Sequence, residues 1–235
     1  MATFVLIPGA GGDAWYWHRV VPQLRAVGHN VVAVDLPGDD ERAGLREYAD
    51  AVVDAIGPRR DLVLVAQSMA GFTAPLVCQR VPVDLMVLVA AMVPVPGETP
   101  GDWWANTGHA EAVRAKAAHD GRPVDAEFDP VEVFLHDLPP DVLAEATARP
   151  PRDQSGTPFE QPWPLERWPP VATRFLLCRH DRFFPAPFQR RVVRERLGFT
   201  PDEMDGGHLP ALAHPEELAA RLVAYRAEWE QQQAD

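Results

Sequence analysis

Val63-Leu64-Val65-Ala66-Gln67-Ser68-Met69-Ala70-Gly71 reads as a buried strand that turns abruptly into a helix. Its first four residues are continuously apolar, the pattern of a strand covered on both faces of a parallel sheet. A serine at the turn that follows is exposed at the sheet edge, where a nucleophile can reach a ligand. A serine hydroxyl is a weak nucleophile at neutral pH, so it requires a base to take its proton and an acid to orient that base. Candidates for both follow downstream, in the order Ser68, Asp181, His208.

Working outward, short Val/Leu/Ile-rich runs at 3–7, 31–34, 62–66, 84–89 and 173–178 read as strands. Segments 16–27, 43–56, 69–80, 186–197 and 215–230 carry helical spacing of apolar positions. This alternation predicts an α/β fold with a doubly wound, mostly parallel sheet. Residues 94–170 break the rhythm and hold 14 of the 25 prolines and four of the seven tryptophans. Proline interrupts regular ladders while tryptophan supplies apolar surface, so this stretch reads as an irregular cap, with short helices near 109–119 and 139–148. The expected division is a core of residues 1–93 and 171–235 with the cap, 94–170, inserted into it.

Twenty-two Lys+Arg face 34 Asp+Glu, a net charge of −12 that repels phosphate backbones and anionic membrane surfaces. Neither nucleic acid nor a membrane is expected as a partner. Met1 leads directly into strand-like residues with no basic n-region or cleavage site, and no apolar run reaches membrane-spanning length, which predicts a cytoplasmic protein. Cys78 and Cys178 make no disulfide framework and read as buried free thiols. No metal is expected: His180, Asp181 and His208 lack any ligand-spacing motif. Gly9, Gly11 and Gly12 lack the lysine of a P-loop and the third glycine of a dinucleotide fingerprint, so no nucleotide cofactor is expected either.

A serine nucleophile also needs donors for the oxyanion that develops on the substrate. The N–H of Met69, at the start of the helix, is one candidate. The N–H of Ala10, in the glycine-rich loop 8–12 after the first strand, is the other. Two plainer readings compete: the serine as a helix N-cap, and the glycines as mere turn formers. His208 follows Gly206 and Gly207 after the strand-like 199–204 and precedes the last helix, which puts it at the sheet edge as the candidate base. The other seven histidines, His18, His29, His109, His119, His136, His180 and His214, lie on helices, in the cap or beside charged turns and read as surface or structural. Asp181 directly follows strand 173–178 and can accept the imidazole N–H. Asp84 begins its strand, Asp205 is too close in sequence to His208, and Asp35 reads as a turn residue.

On FVLIPGAGGDAWYW (4–17), GHNVVAVDLPG (28–38), the serine elbow, DRFFPAPFQ (181–189) and GGH (206–208), the chain resembles the α/β-hydrolase superfamily. Within it, the chain resembles the plant-type methylesterases and hydroxynitrile lyases with their bacterial esterase relatives. That resemblance implies an α/β-hydrolase fold, a Ser68-His208-Asp181 triad and oxyanion amides at Ala10 and Met69. The lyases are marked by a threonine in the oxyanion loop and a lysine after the catalytic histidine. Gly9 and Leu209 stand at those positions, which points to the esterase branch. The chain departs from the family pattern at Pro8, usually histidine, at Gln67, usually histidine or glutamate, and at Ala66 and Ala70, where the elbow pattern has glycine.

The resulting expectation is a cofactor-free serine hydrolase whose partner is a small or medium carboxylic ester, with a homodimer left open. Gly9, Trp103, Trp104, Phe128, Phe134, Trp163 and Leu209 are the expected substrate-pocket residues, each of the aromatic ones also readable as plain packing of cap on core. Two rival readings stand beside it. One is lyase, perhydrolase, carbon–carbon hydrolase or cyclase chemistry on the same triad; the other is a non-enzymatic ligand-binding protein of the same fold.

Overall fold

Six short strands, Thr3–Ile7 (β1), Asn30–Ala33 (β2), Leu62–Gln67 (β3), Leu85–Val89 (β4), Ala172–Cys178 (β5) and the polar edge strand Asp202–Met204 (β6), pair into one wholly parallel sheet ordered β2-β1-β3-β4-β5-β6. The structure, a computed structural model, describes residues 1–150 and 152–234. The pleat sends alternate side chains to opposite faces. Val5, Ile7, Leu64, Ala66, Met86 and Leu88 share one apolar cluster with helices Leu45–Ile56 (α2), Ala70–Val77 (α3) and Ala186–Leu197 (α8). Phe4, Leu6, Val63, Val65, Val87 and Val89 share the other with Val20–Ala26 (α1), Pro210–Ala213 (α9) and Pro215–Ala234 (α10). Covered on both faces, the central strands need apolar residues at every position, and β3 is buried throughout.

The chain passes from β1 outward to β2, crosses back to β3 on the other side of β1, and then proceeds through β4, β5 and β6 in one direction. The carboxyl ends of β1 and β3 therefore flank the topological switch point, where open α/β sheets leave a crevice for ligands.

Several elements differ from their sequence expectation. The helical segment 16–27 divides into a 3₁₀ turn, Ala14–Trp17, capped by the Asp13 carboxylate on the Trp15 N–H, and then α1. The helix expected over 69–80 ends at Val77, and the strand-like 199–204 contracts to β6. Between β4 and β5 the chain forms Pro100–Asn106 (α4), His109–His119 (α5), Pro130–Phe134 (α6) and Pro140–Ala148 (α7). The helices α4 and α6 are not expected from sequence. Pro100, Pro130 and Pro140 each open a helix, with Thr99 and Asp129 capping the first two, because proline's fixed φ suits the first turn, where its missing N–H costs nothing. Proline here initiates helices as well as interrupting them. This segment is tied to the sheet layer through Glu98, whose buried carboxylate is held by both terminal nitrogens of Arg196 on α8. Among the described residues, no helix is long and apolar enough to cross a membrane.

Candidate active site

The turn after β3 places Ser68 at φ +54°, a left-handed conformation that costs a non-glycine residue energy. Three backbone hydrogen bonds hold it there. The Ser68 N–H donates to the Val89 carbonyl at 3.2 Å, and the Ser68 carbonyl accepts from Gly71 N–H (3.1 Å) and Met92 N–H (2.9 Å). The elbow's close approach falls at Gly71, where a Cβ would lie 1.8 Å from the Met92 carbonyl oxygen. Ala66 and Ala70 are thus tolerated at the positions the family gives to glycine, because Gly71 takes the tight contact.

Ser68 does not cap α3, whose N-cap position is Met69 and has no side-chain cap bond. Its Oγ instead lies 3.0 Å from His208 Nε2. His208 Nδ1 lies 2.8 Å from Asp181 Oδ2. Asp181 Oδ1 accepts the N–H groups of Phe183 and Phe184, both at 2.8 Å. Asp181 and His208 are buried, at 0% and 2% exposure, so water does not compete for these bonds. A carboxylate only accepts, so Nδ1 carries the imidazole proton and Nε2 is left to accept from the serine hydroxyl. The rings of Phe134, Phe183 and Phe184 surround the imidazole, with centroids 5.4, 5.1 and 5.0 Å away. The Gln67 carboxamide adds a bond from Nε2 to the His208 carbonyl at 3.1 Å.

Beside Ser68 lies a cavity of about 420 Å³, to which Ala10, Met69 and His208 also contribute. The loop after β1 uses its neighbouring amides internally or against the inserted segment: Gly12 N–H donates to the Gly9 carbonyl and Gly11 N–H to Gln154 Oε1. Among the described residues, the N–H groups of Ala10 and Met69 meet no acceptor. Gly9 does not line the cavity. It abuts the elbow, where a Cβ would come within 2.5 Å of Gln67 Oε1 and 2.9 Å of Ser68 Cβ.

Of the aromatic and apolar residues expected at the pocket, the structure places Trp104, Phe134 and Leu209 in its wall. Trp103 and Trp163 correct the expectation: both are 1% exposed in the core, their indole N–H groups bonded to the carbonyls of Val93 and Phe72. Phe128 is a second correction, 62% exposed and absent from the lining, its ring in a T-shaped pair with that of Phe134. The wall also takes Met92, Pro130, Leu135, Phe159 and Phe183, which sequence reasoning missed. Phe183 had a usable signal, two residues after Asp181; Met92 follows β4 at the same sheet edge. Among the described residues, no Asp, Glu, Lys or Arg contributes to the lining.

Cys78 and Cys178 are both free, and burial pushes the Cys78 thiol up to about 12 and the Cys178 thiol well above its ordinary value. Burial also lowers His109, whose Nε2 bonds the Phe183 carbonyl at 2.7 Å.

Comparison with known proteins agrees with this architecture. The chain is 28% identical to Methylesterase 7 of Arabidopsis thaliana, with 94% of each chain covered. It is 24% identical to polyneuridine aldehyde esterase of Rauvolfia serpentina, again with 94% of each covered. An extracellular α/β-hydrolase from a Paenibacillus species, described as sharing structural and functional homology with tobacco salicylic acid binding protein 2, has the same fold. Its TM-score is 0.76 at 21% identity, over 96% of this chain and 99% of that one. Residues 4–221 match the alpha/beta hydrolase family, a span that runs from β1 through the elbow to the loops carrying Asp181 and His208, and the chain belongs to that family.

Proposed function

We propose that the protein is a serine hydrolase that cleaves a neutral, largely apolar carboxylic ester through an acyl-enzyme. The observation that carries this reading is the unbroken chain from Ser68 Oγ through His208 to Asp181, opening on a cavity also lined by Ala10 and Met69, whose N–H groups meet no acceptor among the described residues. In the proposed sequence His208 Nε2 takes the Ser68 proton as Oγ attacks the ester carbonyl, and the charge left on the substrate oxygen is held by the amides of Ala10 and Met69. Protonated His208 then delivers its proton to the departing alcohol. In the second half His208 deprotonates water, which attacks the acyl-serine and releases the acid. Asp181 fixes the tautomer throughout and stabilises the imidazolium.

The wall supports the substrate class. A dry apolar cavity of about 150 Å³ takes benzene, so about 420 Å³ accommodates an ester with an aromatic or medium aliphatic body. A charged substrate would find no counter-ion among the described residues of the lining. Hydrolysis is favoured over lyase chemistry because Leu209 is apolar and position 9 has no room for a side chain, so neither could handle a cyanohydrin hydroxyl or a leaving anion. Residues 94–170 act as the cap in this reading, since α6 and the turn after it contribute Pro130, Phe134 and Leu135 to the wall. The curated relatives named as esterases support the same class.

The test is labelling with a fluorophosphonate probe alongside turnover of a panel of neutral esters. Wild type is expected to label and turn over, and Ser68→Ala to do neither. Equal labelling of the two proteins refutes the assignment.

A further inference from the structure

The two glycines before His208 lie flush against a turn of the inserted segment. A Cβ at Gly207 would come within 2.8 Å of both Asp137 Oδ1 and His136 Nε2, and one at Gly206 within 2.6 Å of His214 Cδ2. The Gly207 N–H donates to Asp137 Oδ2 at 2.5 Å, a charge-assisted bond across 70 residues of sequence. Asp137 follows α6 by three residues, and that stretch also supplies Phe134, which lines the cavity and packs on the His208 ring. One short run therefore walls the substrate cavity at one end and grips the backbone beside His208 at the other. His214 Nε2 lies 3.7 Å from Asp137 Oδ2, completing the contacts of that carboxylate oxygen.

We propose that Asp137 is a positioning residue for His208. It fixes the Gly206–Gly207 backbone so that the imidazole stays aligned between Ser68 and Asp181, and it makes that alignment depend on the inserted segment being seated. The inference rests on the reading of His208 as the base. The physical reason is that Gly206 and Gly207 have no side chains to hold the loop themselves, while Gln67 anchors only the carbonyl on the far side of His208. Losing the Asp137 acceptor would leave a buried N–H unpaired on a glycine-rich segment, free to shift the ring. A misplacement of about 1 Å can cost on the order of 100-fold in rate.

The experiment compares Asp137→Ala and Asp137→Asn in the full-length protein, using p-nitrophenyl acetate turnover and the low-field proton resonance of the His208 Nδ1–H. Asn keeps an oxygen for the Gly207 N–H and Ala does not. The expected result is that Asp137→Ala lowers kcat by about 10- to 100-fold with KM within about threefold, and that its low-field resonance broadens or disappears. Asp137→Asn is expected to recover most of kcat and the resonance. A folded Asp137→Ala that keeps both kcat and the resonance overturns the proposal, as does an Asp137→Asn that recovers neither. The resonance is read without substrate, so it decides the positioning role even if Ser68→Ala shows that the turnover is not esterolysis at this serine.

Discussion

If His208 is the base of the proposed mechanism, Asp181→Asn separates orientation of its imidazole from stability of the fold. The native carboxylate accepts three bonds at 2.8 Å: the Phe183 and Phe184 amides on Oδ1 and the His208 Nδ1–H on Oδ2. An asparagine can keep its oxygen on the two amides, and its NH₂ then faces His208. That donor forces Nδ1 to accept, so the imidazole proton moves to Nε2, which lies 3.0 Å from Ser68 Oγ and must accept from it for chemistry to begin. A triad held in the wrong tautomer loses about 10⁴-fold in kcat, about 5.4 kcal/mol at 1.36 kcal/mol per tenfold. Asp181→Ala behaves differently, because it orphans two amides at about 1–3 kcal/mol each, and it should lose about 2–6 kcal/mol of stability in addition to activity. The assay is p-nitrophenyl ester turnover at matched folded concentration, with urea unfolding followed by circular dichroism. An Asp181→Asn enzyme within tenfold of wild type near neutral pH would refute the tautomer argument, and an Asp181→Ala protein as stable as wild type would refute the amide argument.

Two further outcomes test the packing around this site. Arg196→Met leaves the Glu98 carboxylate, 1% exposed, without the guanidinium that holds both its oxygens, and should cost about 3–5 kcal/mol in urea unfolding; the double variant Glu98→Gln/Arg196→Met should recover most of it, and a single variant within 1 kcal/mol of wild type would show that the pair carries little. With the Cys78 thiol at about 12, only about one molecule in 10⁴ is thiolate at pH 8, and burial holds the Cys178 thiol well above its ordinary value. Iodoacetamide at that pH should therefore leave Cys178 untouched, modify the half-buried Cys78 slowly at most and leave ester turnover unchanged, so the two thiols do not share the buried place expected from sequence; stoichiometric native-state modification of Cys178 would contradict its burial.

The sheet was legible because its interior strands are buried on both faces, so Val63 to Ala66 and Phe4 to Ile7 had to be apolar at every position. The order Ser68, Asp181, His208 was legible for a related reason: each residue directly follows a strand or its loop, and in a parallel sheet those ends share one edge. The cavity wall was legible only in part: Trp104, Phe134 and Leu209 were, and the rest was not. Trp103 and Trp104 are neighbours on α4, a helix of seven residues, and successive residues on a helix point about 100° apart. With so short a helix no periodic pattern says which indole turns inward to the Val93 carbonyl and which turns to the cavity. The contact of Asp137 with Gly207 was equally hidden, since an aspartate after a short helix reads as a solvated turn residue until the fold brings it against the His208 loop.

The elbow shows why a degenerate motif can still support the geometry. The strain at Ser68, of order 1–3 kcal/mol for a residue held in a sparsely populated conformation, is opposed by bonds to Val89 and Met92, which belong to β4 and the chain just beyond it. The position of the hydroxyl thus follows from the pairing of β3 with β4, where Ala66 aligns with Leu88 and Gln67 with Val89. What the turn itself must supply is room for the following helix to pass the chain after β4. Gly71 supplies it against the Met92 carbonyl, so alanine at 66 and 70 costs the elbow nothing that the G-x-S-x-G pattern was needed for. The same logic applies on the other side of the elbow, where Gly9 leaves room for the Gln67 side chain, and Gln67 in turn holds the carbonyl of His208. Ser68 and His208 are thus linked through adjacent residues of one strand end, which makes the residue before the serine part of the frame that aligns the imidazole.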